Sequence, residues 1–144
     1  RAAYDATKGR EVQLPLGVQE ALTRASYVSR DVSEVKELDG YSFEAWVNEF
    51  YGARKPQPDG GVDGIMPDGT PIQAKTFSIR YNVLSQFVTD ARLHPLVPKP
   101  VKKFVVVSQT GFDDSARRRK FEIETTDGVQ VELVTPEQMV RLDN

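Results

Sequence analysis

Residues 103–109, KFVVVSQ, form a continuous apolar run closed by polar residues. A run of this kind reads as a strand buried on both faces, and such a strand needs helices packed above and below it. The flanking sequence offers them. YSFEAWVNEFYG, 41–52, carries an apolar stripe of Phe43, Trp46, Val47 and Phe50, with Ser42 as an N-cap and Gly52 as a C-terminal stop. NVLSQFVTDARL, 82–93, places Val83, Leu84, Phe87, Val88 and Ala91 on one face, with Asn82 as its cap. After the proline-rich LHPLVPKPVK comes the buried strand, and Asp113, Asp114 and Ser115 then offer a cap for a short basic helix over 115–122. VQVELV, 129–134, is a further strand, and Thr135-Pro136-Glu137 opens a last helix ending near Leu142. With a hairpin over 58–75, the order from residue 41 is α, β, β, α, β, α, β, α. That order predicts an α/β domain around a central mixed sheet, its first two strands antiparallel and the later ones parallel.

Upstream, Val18, Leu22, Ala25, Val28, Val32 and Val35 recur at helical spacing until Asp39-Gly40. Residues 1–39 therefore read as an N-terminal helical extension or linker, and 40–144 as the domain. The first residue is Arg rather than Met, so the chain is expected to be a piece of a longer polypeptide.

Composition narrows the chemistry. The 144 residues are 39% hydrophobic and 28% charged, a globular profile with no membrane-length apolar run. There is no cysteine, which excludes disulfides and thiolate metal sites. The single histidine, His94, excludes a multi-histidine zinc site. Followed at once by Pro95, it reads as a surface or loop residue rather than a member of a Ser-His triad. Nineteen basic residues against 21 acidic ones give a net charge of −2, so any nucleic-acid footprint must be local. Lys99, Lys102 and Lys103, and then Arg117 to Lys120, are local basic runs that read equally as solvated faces.

The hairpin PDGGVDGIMPDGTPIQAK, 58–75, carries polar residues where a core strand would carry valines. Pro67-Asp68-Gly69 suits a three-residue loop with Gly69 left-handed. Counting outward, Ile65 faces Pro71, Gly64 faces Ile72 and Asp63 faces Gln73, with Lys75 two residues further along. Asp63, Gln73 and Lys75 should then converge, whereas a two-residue turn would shift the register and separate them. A carboxylate and an amide oxygen, with the Ala74 carbonyl, suit a hard cation such as Mg²⁺. A lysine beside a metal-bound water can orient it for attack on phosphorus. Gly60-Gly61 would leave room for a bulky backbone to approach. The same residues also read as turn and solvent-facing residues of an edge hairpin.

These motifs resemble the PD-(D/E)XK nucleases, in the variant where Gln replaces the second acid, and are most similar to the Mrr-like restriction endonuclease group. The resemblance rests on Phe43-Glu44, Gly52, GGVDGI at 60–65 and IQAK at 72–75. It continues through KFVVVSQTGF, Ala116 and VQVELVT, covering about 41–142. It implies a restriction-endonuclease-like fold and Mg²⁺-dependent hydrolysis of DNA, with Mn²⁺ as a substitute. It also implies a cytoplasmic place in a restriction-modification system, as a domain linked to others such as a methyltransferase. Asp63 would be the principal metal ligand, Gln73 the second with the Ala74 carbonyl, Lys75 the catalytic lysine, and Glu44 a helical acid completing the metal's water shell. Glu49 competes for that last role from another helix face, and Glu44 also reads as an acid favoured by the helix dipole. Gln73 is the departure, since a neutral amide binds metal more weakly than a carboxylate.

Thr76, Ser78 and Arg80 beyond Lys75, Ser108 and Thr110 after the buried strand, and Arg117, Arg118, Arg119 and Lys120 are candidate phosphate contacts. Each also reads as a cap or a solvated residue. The fold alone does not select DNA. Two other readings remain: an RNase toxin domain cleaving tRNA, and a catalytically silent nuclease-fold module that binds nucleic acid. Double-strand cutting would favour a homodimer.

Overall fold

A computed structural model describes residues 31–143. Its elements are α1 (Val32–Val35), α2 (Gly40–Tyr51), β1 (Gly64–Ile65), β2 (Pro71–Lys75), α3 (Tyr81–Leu93), β3 (Lys103–Ser108), α4 (Asp114–Asp127), β4 (Gln130–Val134) and α5 (Pro136–Asp143). The four strands form one mixed sheet in the order β1-β2-β3-β4. β1 is antiparallel to β2, and β2, β3 and β4 run parallel. Among the described residues, no helix is long and apolar enough to cross a membrane.

The buried strand divides its side chains between two layers, as an alternating strand must. Phe104 and Val106 pack with Leu84, Phe87, Ala91, Ala116 and Ile123 under α3 and α4. Val105 and Val107 pack with Phe43, Trp46, Val47 and Met139 under α2 and α5. On β2, Ile72 and Ala74 join the α2 layer. Gln73, between them, takes the opposite face.

Two expected caps and one helix end differ. Asp39-Gly40 starts α2 rather than ending an earlier helix: the Asp39 carboxylate accepts from the Ser42 amide at 2.8 Å, so Ser42 is capped and does not cap. α3 begins at Tyr81 with no side-chain cap from its own chain start, and the Ser115 hydroxyl takes the Tyr81 amide at 3.0 Å in place of Asn82. α4 is capped by Asp113 as expected but runs to Asp127, well past 122, before Gly128 ends it at φ 68°. Of the long upstream helix, only α1 lies within the described residues; Val18, Leu22, Ala25 and Val28 lie outside them. α1 and its exit belong to the α2 layer, with Val35 buried and Leu38 packed on it. The buried Gln109 amide donates to the Val35 and Leu38 carbonyls, each at 2.9 Å.

His94 is not on the surface but buried. Its Nδ1 accepts from the Leu96 amide at 3.1 Å, and Nε2 therefore donates to the Pro58 carbonyl at 2.9 Å. Nε2 joins the end of α3 to the loop that leads into the hairpin, while Nδ1 closes the turn that follows the helix.

Candidate metal centre

The turn sets the geometry of everything beside it. Gly69 has φ 94°, the Met66 amide bonds the Thr70 carbonyl at 2.9 Å, and the Gly69 amide bonds the Met66 carbonyl at 2.8 Å. The three-residue loop pairs Ile65 with Pro71 and Gly64 with Ile72. The Asp63 amide then donates to the Ile72 carbonyl at 2.9 Å. Because β1 has only two residues, the ladder stops there, and β2 is left with an open edge at Ala74. The Asp63 side chain fills it, Oδ2 accepting the Ala74 N–H at 2.9 Å. Ala74 thus offers Asp63 its amide, and the carboxylate lies in the plane of the sheet edge rather than on one face.

From α2, two side chains one helical turn apart reach this edge. Glu44 lies near enough to the Asp63 carboxyl to raise its pKa. Asn48 donates to the Asp63 carbonyl at 3.0 Å. Glu44 lies beyond the first turn of α2, so the helix dipole does not account for its place. It is the helical carboxylate that reaches Asp63.

Asp63 is buried, and burial pushes its carboxyl up to about 6; the Ala74 amide and the nearby Lys75 ammonium pull the other way, and Glu44 adds to the rise.

Gln73 stands between Ile72, whose carbonyl takes the Asp63 amide, and Ala74, whose amide bonds the Asp63 carboxylate. Its Nε2 makes a long contact, 3.4 Å, with the Gly61 carbonyl. That contact orients the amide, because the reverse orientation would set two oxygens against each other. Oε1 is left buried with no hydrogen-bond partner. A buried acceptor in that condition calls for an explanation, and a bound cation is one. Among the described residues, no three His, Cys, Asp or Glu side chains come together at metal-binding range. The donor set is accordingly two carboxylates and a neutral amide oxygen, all hard oxygens of the kind Mg²⁺ accepts with waters completing its shell.

Lys75 ends β2, half-buried and in register with Ser108 of β3. It therefore stands at the carboxyl ends of the parallel strands, where α/β sheets open to ligands. Thr76 is half-buried beside it, while Ser78 and Arg80 are exposed. Ser108 is wholly buried: its hydroxyl donates to the Phe77 carbonyl at 2.8 Å and accepts from the Gly111 amide at 2.9 Å. It is committed to the loop and has no surface to give a phosphate. Thr110 is exposed, with its hydroxyl 3.3 Å from the Thr76 carbonyl. The basic run is largely answered from within α4. Arg117 meets Asp114, Arg118 and Arg119 meet Glu122 and lie over the Tyr81 ring, and Lys120 meets Glu124 at 2.9 Å.

Gly60 and Gly61 do not open space as expected. Both have positive φ, and a Cβ on Gly61 would lie 2.2 Å from an Asp90 oxygen of α3. They let the loop press against α3. Asn48 and Lys55, whose ammonium bonds Glu44, are site residues that the sequence reading missed. Asn48 could have been found from its spacing to Glu44; Lys55 sits in a loop with no periodic signal.

Comparison with protein-family models, curated proteins and solved structures gave no significant match.

Proposed function

We propose that the domain is a Mg²⁺-dependent endonuclease of the restriction-endonuclease-like fold that hydrolyses DNA phosphodiesters. One observation carries the reading: Gln73, whose buried Oε1 has no partner, stands between Ile72 and Ala74, the two β2 residues that bond the buried Asp63. Asp63, Glu44 and Gln73 would hold the cation. When bound, the cation would polarise the phosphodiester and lower the pKa of a coordinated water. The chain's own residues do the rest. The Ala74 amide fixes one Asp63 oxygen and leaves the other for the cation. Asn48 fixes the Asp63 backbone. Lys75 orients the attacking water and balances the charge gathering on the phosphate. Thr76, Ser78, Arg80 and Thr110 lie on the loops beyond β2 and β3, where the backbone of a nucleic acid would pass.

DNA is favoured over RNA by the resemblance of the hairpin to Mrr-like enzymes. The test is single-turnover cleavage of labelled duplex DNA and of folded tRNA, each with Mg²⁺. Cutting of the duplex alone supports this reading. Cutting of tRNA alone assigns the site to RNA, and binding of either without cutting makes the domain a silent binding module.

A further inference from the structure

Lys55 follows a backbone device that places it over the site. Gly52 ends α2 in the left-handed conformation at φ 66°, so the chain reverses. Arg54 then pairs with Ile65 of β1, its amide and carbonyl both bonded, at 3.1 and 2.8 Å. The next side chain, Lys55, comes back across the start of α2. Its ammonium bonds Glu44 Oε1 and lies 3.7 Å from Asp59 Oδ2. Lys55 thus meets two carboxylates, one of which, Glu44, is assigned above to the cation. The Lys55 side chain is 35% exposed and that of Glu44 16%, so solvent screens the pair only in part.

We propose that Lys55 is a positioning residue of the metal centre, a built-in monovalent cation that holds Glu44 until a divalent ion displaces it. This rests on the metal-dependent reading of the site. Lys55 neutralises Glu44 in the cation-free protein and keeps its carboxyl directed at Asp63. A divalent ion must take Glu44 from it, so the lysine lowers metal affinity and sets the concentration at which the centre fills.

The experiment is calorimetric titration of the whole chain with Mn²⁺ alone, for wild type, Lys55→Met, Lys55→Arg, Glu44→Gln and the Lys55→Met/Glu44→Gln pair. Thermal unfolding of each variant checks the fold. Lys55→Met should bind roughly two- to fivefold more tightly than wild type, the range expected for releasing one partly exposed ion pair. Lys55→Arg should bind like wild type. The tightening should vanish in the Glu44→Gln background. Unchanged or weaker binding by Lys55→Met overturns the proposal, as does tightening that persists without Glu44, which would be a general charge effect. Absence of Mn²⁺ binding by every variant overturns both this proposal and the metal-dependent reading beneath it.

Discussion

The Asp63 carboxylate stands in for a missing strand: its Oδ2 takes the Ala74 N–H at 2.9 Å, where the carbonyl of a longer β1 would have been. One short strand thereby places a buried acid in the sheet edge, near enough to Glu44 for that carboxyl to raise its pKa.

The buried carboxyl makes stability depend on pH. In the unfolded chain Asp63 ionises near its ordinary value of 3.8, and in the folded chain at about 6. The folded state holds the proton more tightly, so this contribution is fully present below the unfolded value and is lost as pH rises through about 6. Above that, the buried charge destabilises the cation-free fold by on the order of 3 kcal/mol. Asp63→Asn keeps an oxygen for the Ala74 amide. In EDTA it should stabilise the protein near pH 8 and have little effect near pH 4. Urea unfolding at the two pH values measures this, and an equal effect at both would contradict it.

Gly64 and Asn48 are in close contact, since a Cβ on Gly64 would lie 2.1 Å from Asn48 Oδ1. Gly64→Ala should destabilise by about 1–3 kcal/mol through overpacking. Adding Asn48→Ala removes the obstructing atom, so the double variant should be more stable than the sum of the single effects implies. Denaturation of the four species supplies the cycle.

At Gln73, a carboxylate would match the commoner acid of the motif. Gln73→Glu should tighten Mg²⁺ binding while lowering the stability of the cation-free protein, because a further buried acid joins Asp63 and Glu44. Gln73→Leu removes the unpartnered amide oxygen and should abolish the metal-dependent gain in melting temperature while the protein still folds. Melting curves with and without Mg²⁺ test both.

Gln109 donates to the Val35 and Leu38 carbonyls and so secures the segment before α2. Gln109→Leu should leave the part-buried Leu38 carbonyl without this partner and the buried Val35 carbonyl with only the Leu38 amide, and destabilise by roughly 1–3 kcal/mol. Hydrogen exchange should rise first in 32–38, with the amides of β3 still protected.

The layer order and the hairpin register were legible in the sequence because they follow from local rules. KFVVVSQ reads as buried between helices, and Pro67-Asp68-Gly69 suits the three-residue loop that forms, the two-residue turn being the alternative it did not take. The caps of α2 and α3 were misread for a different reason. Asp39-Gly40 has the composition of a break as well as a start, and the Tyr81 amide is satisfied by Ser115, 34 residues away. Lys55 and His94 were hidden in the same way: their partners, Glu44 and Pro58, are 11 and 36 residues distant, and no periodicity connects them. Ser108 shows the reverse error, a hydroxyl that looked available and is used up by its own loop.

Incubation of supercoiled plasmid with Mg²⁺, comparing wild type with Asp63→Ala and Lys75→Ala, tests the central claim most directly. Wild type should convert the plasmid to nicked and linear forms, and each variant should do so about a hundredfold more slowly or worse while still melting as a folded protein. A wild-type chain that leaves the plasmid intact with both Mg²⁺ and Mn²⁺, or variants that cut it as fast as wild type, would contradict the assignment of Asp63 and Lys75 to a phosphodiester-cleaving centre.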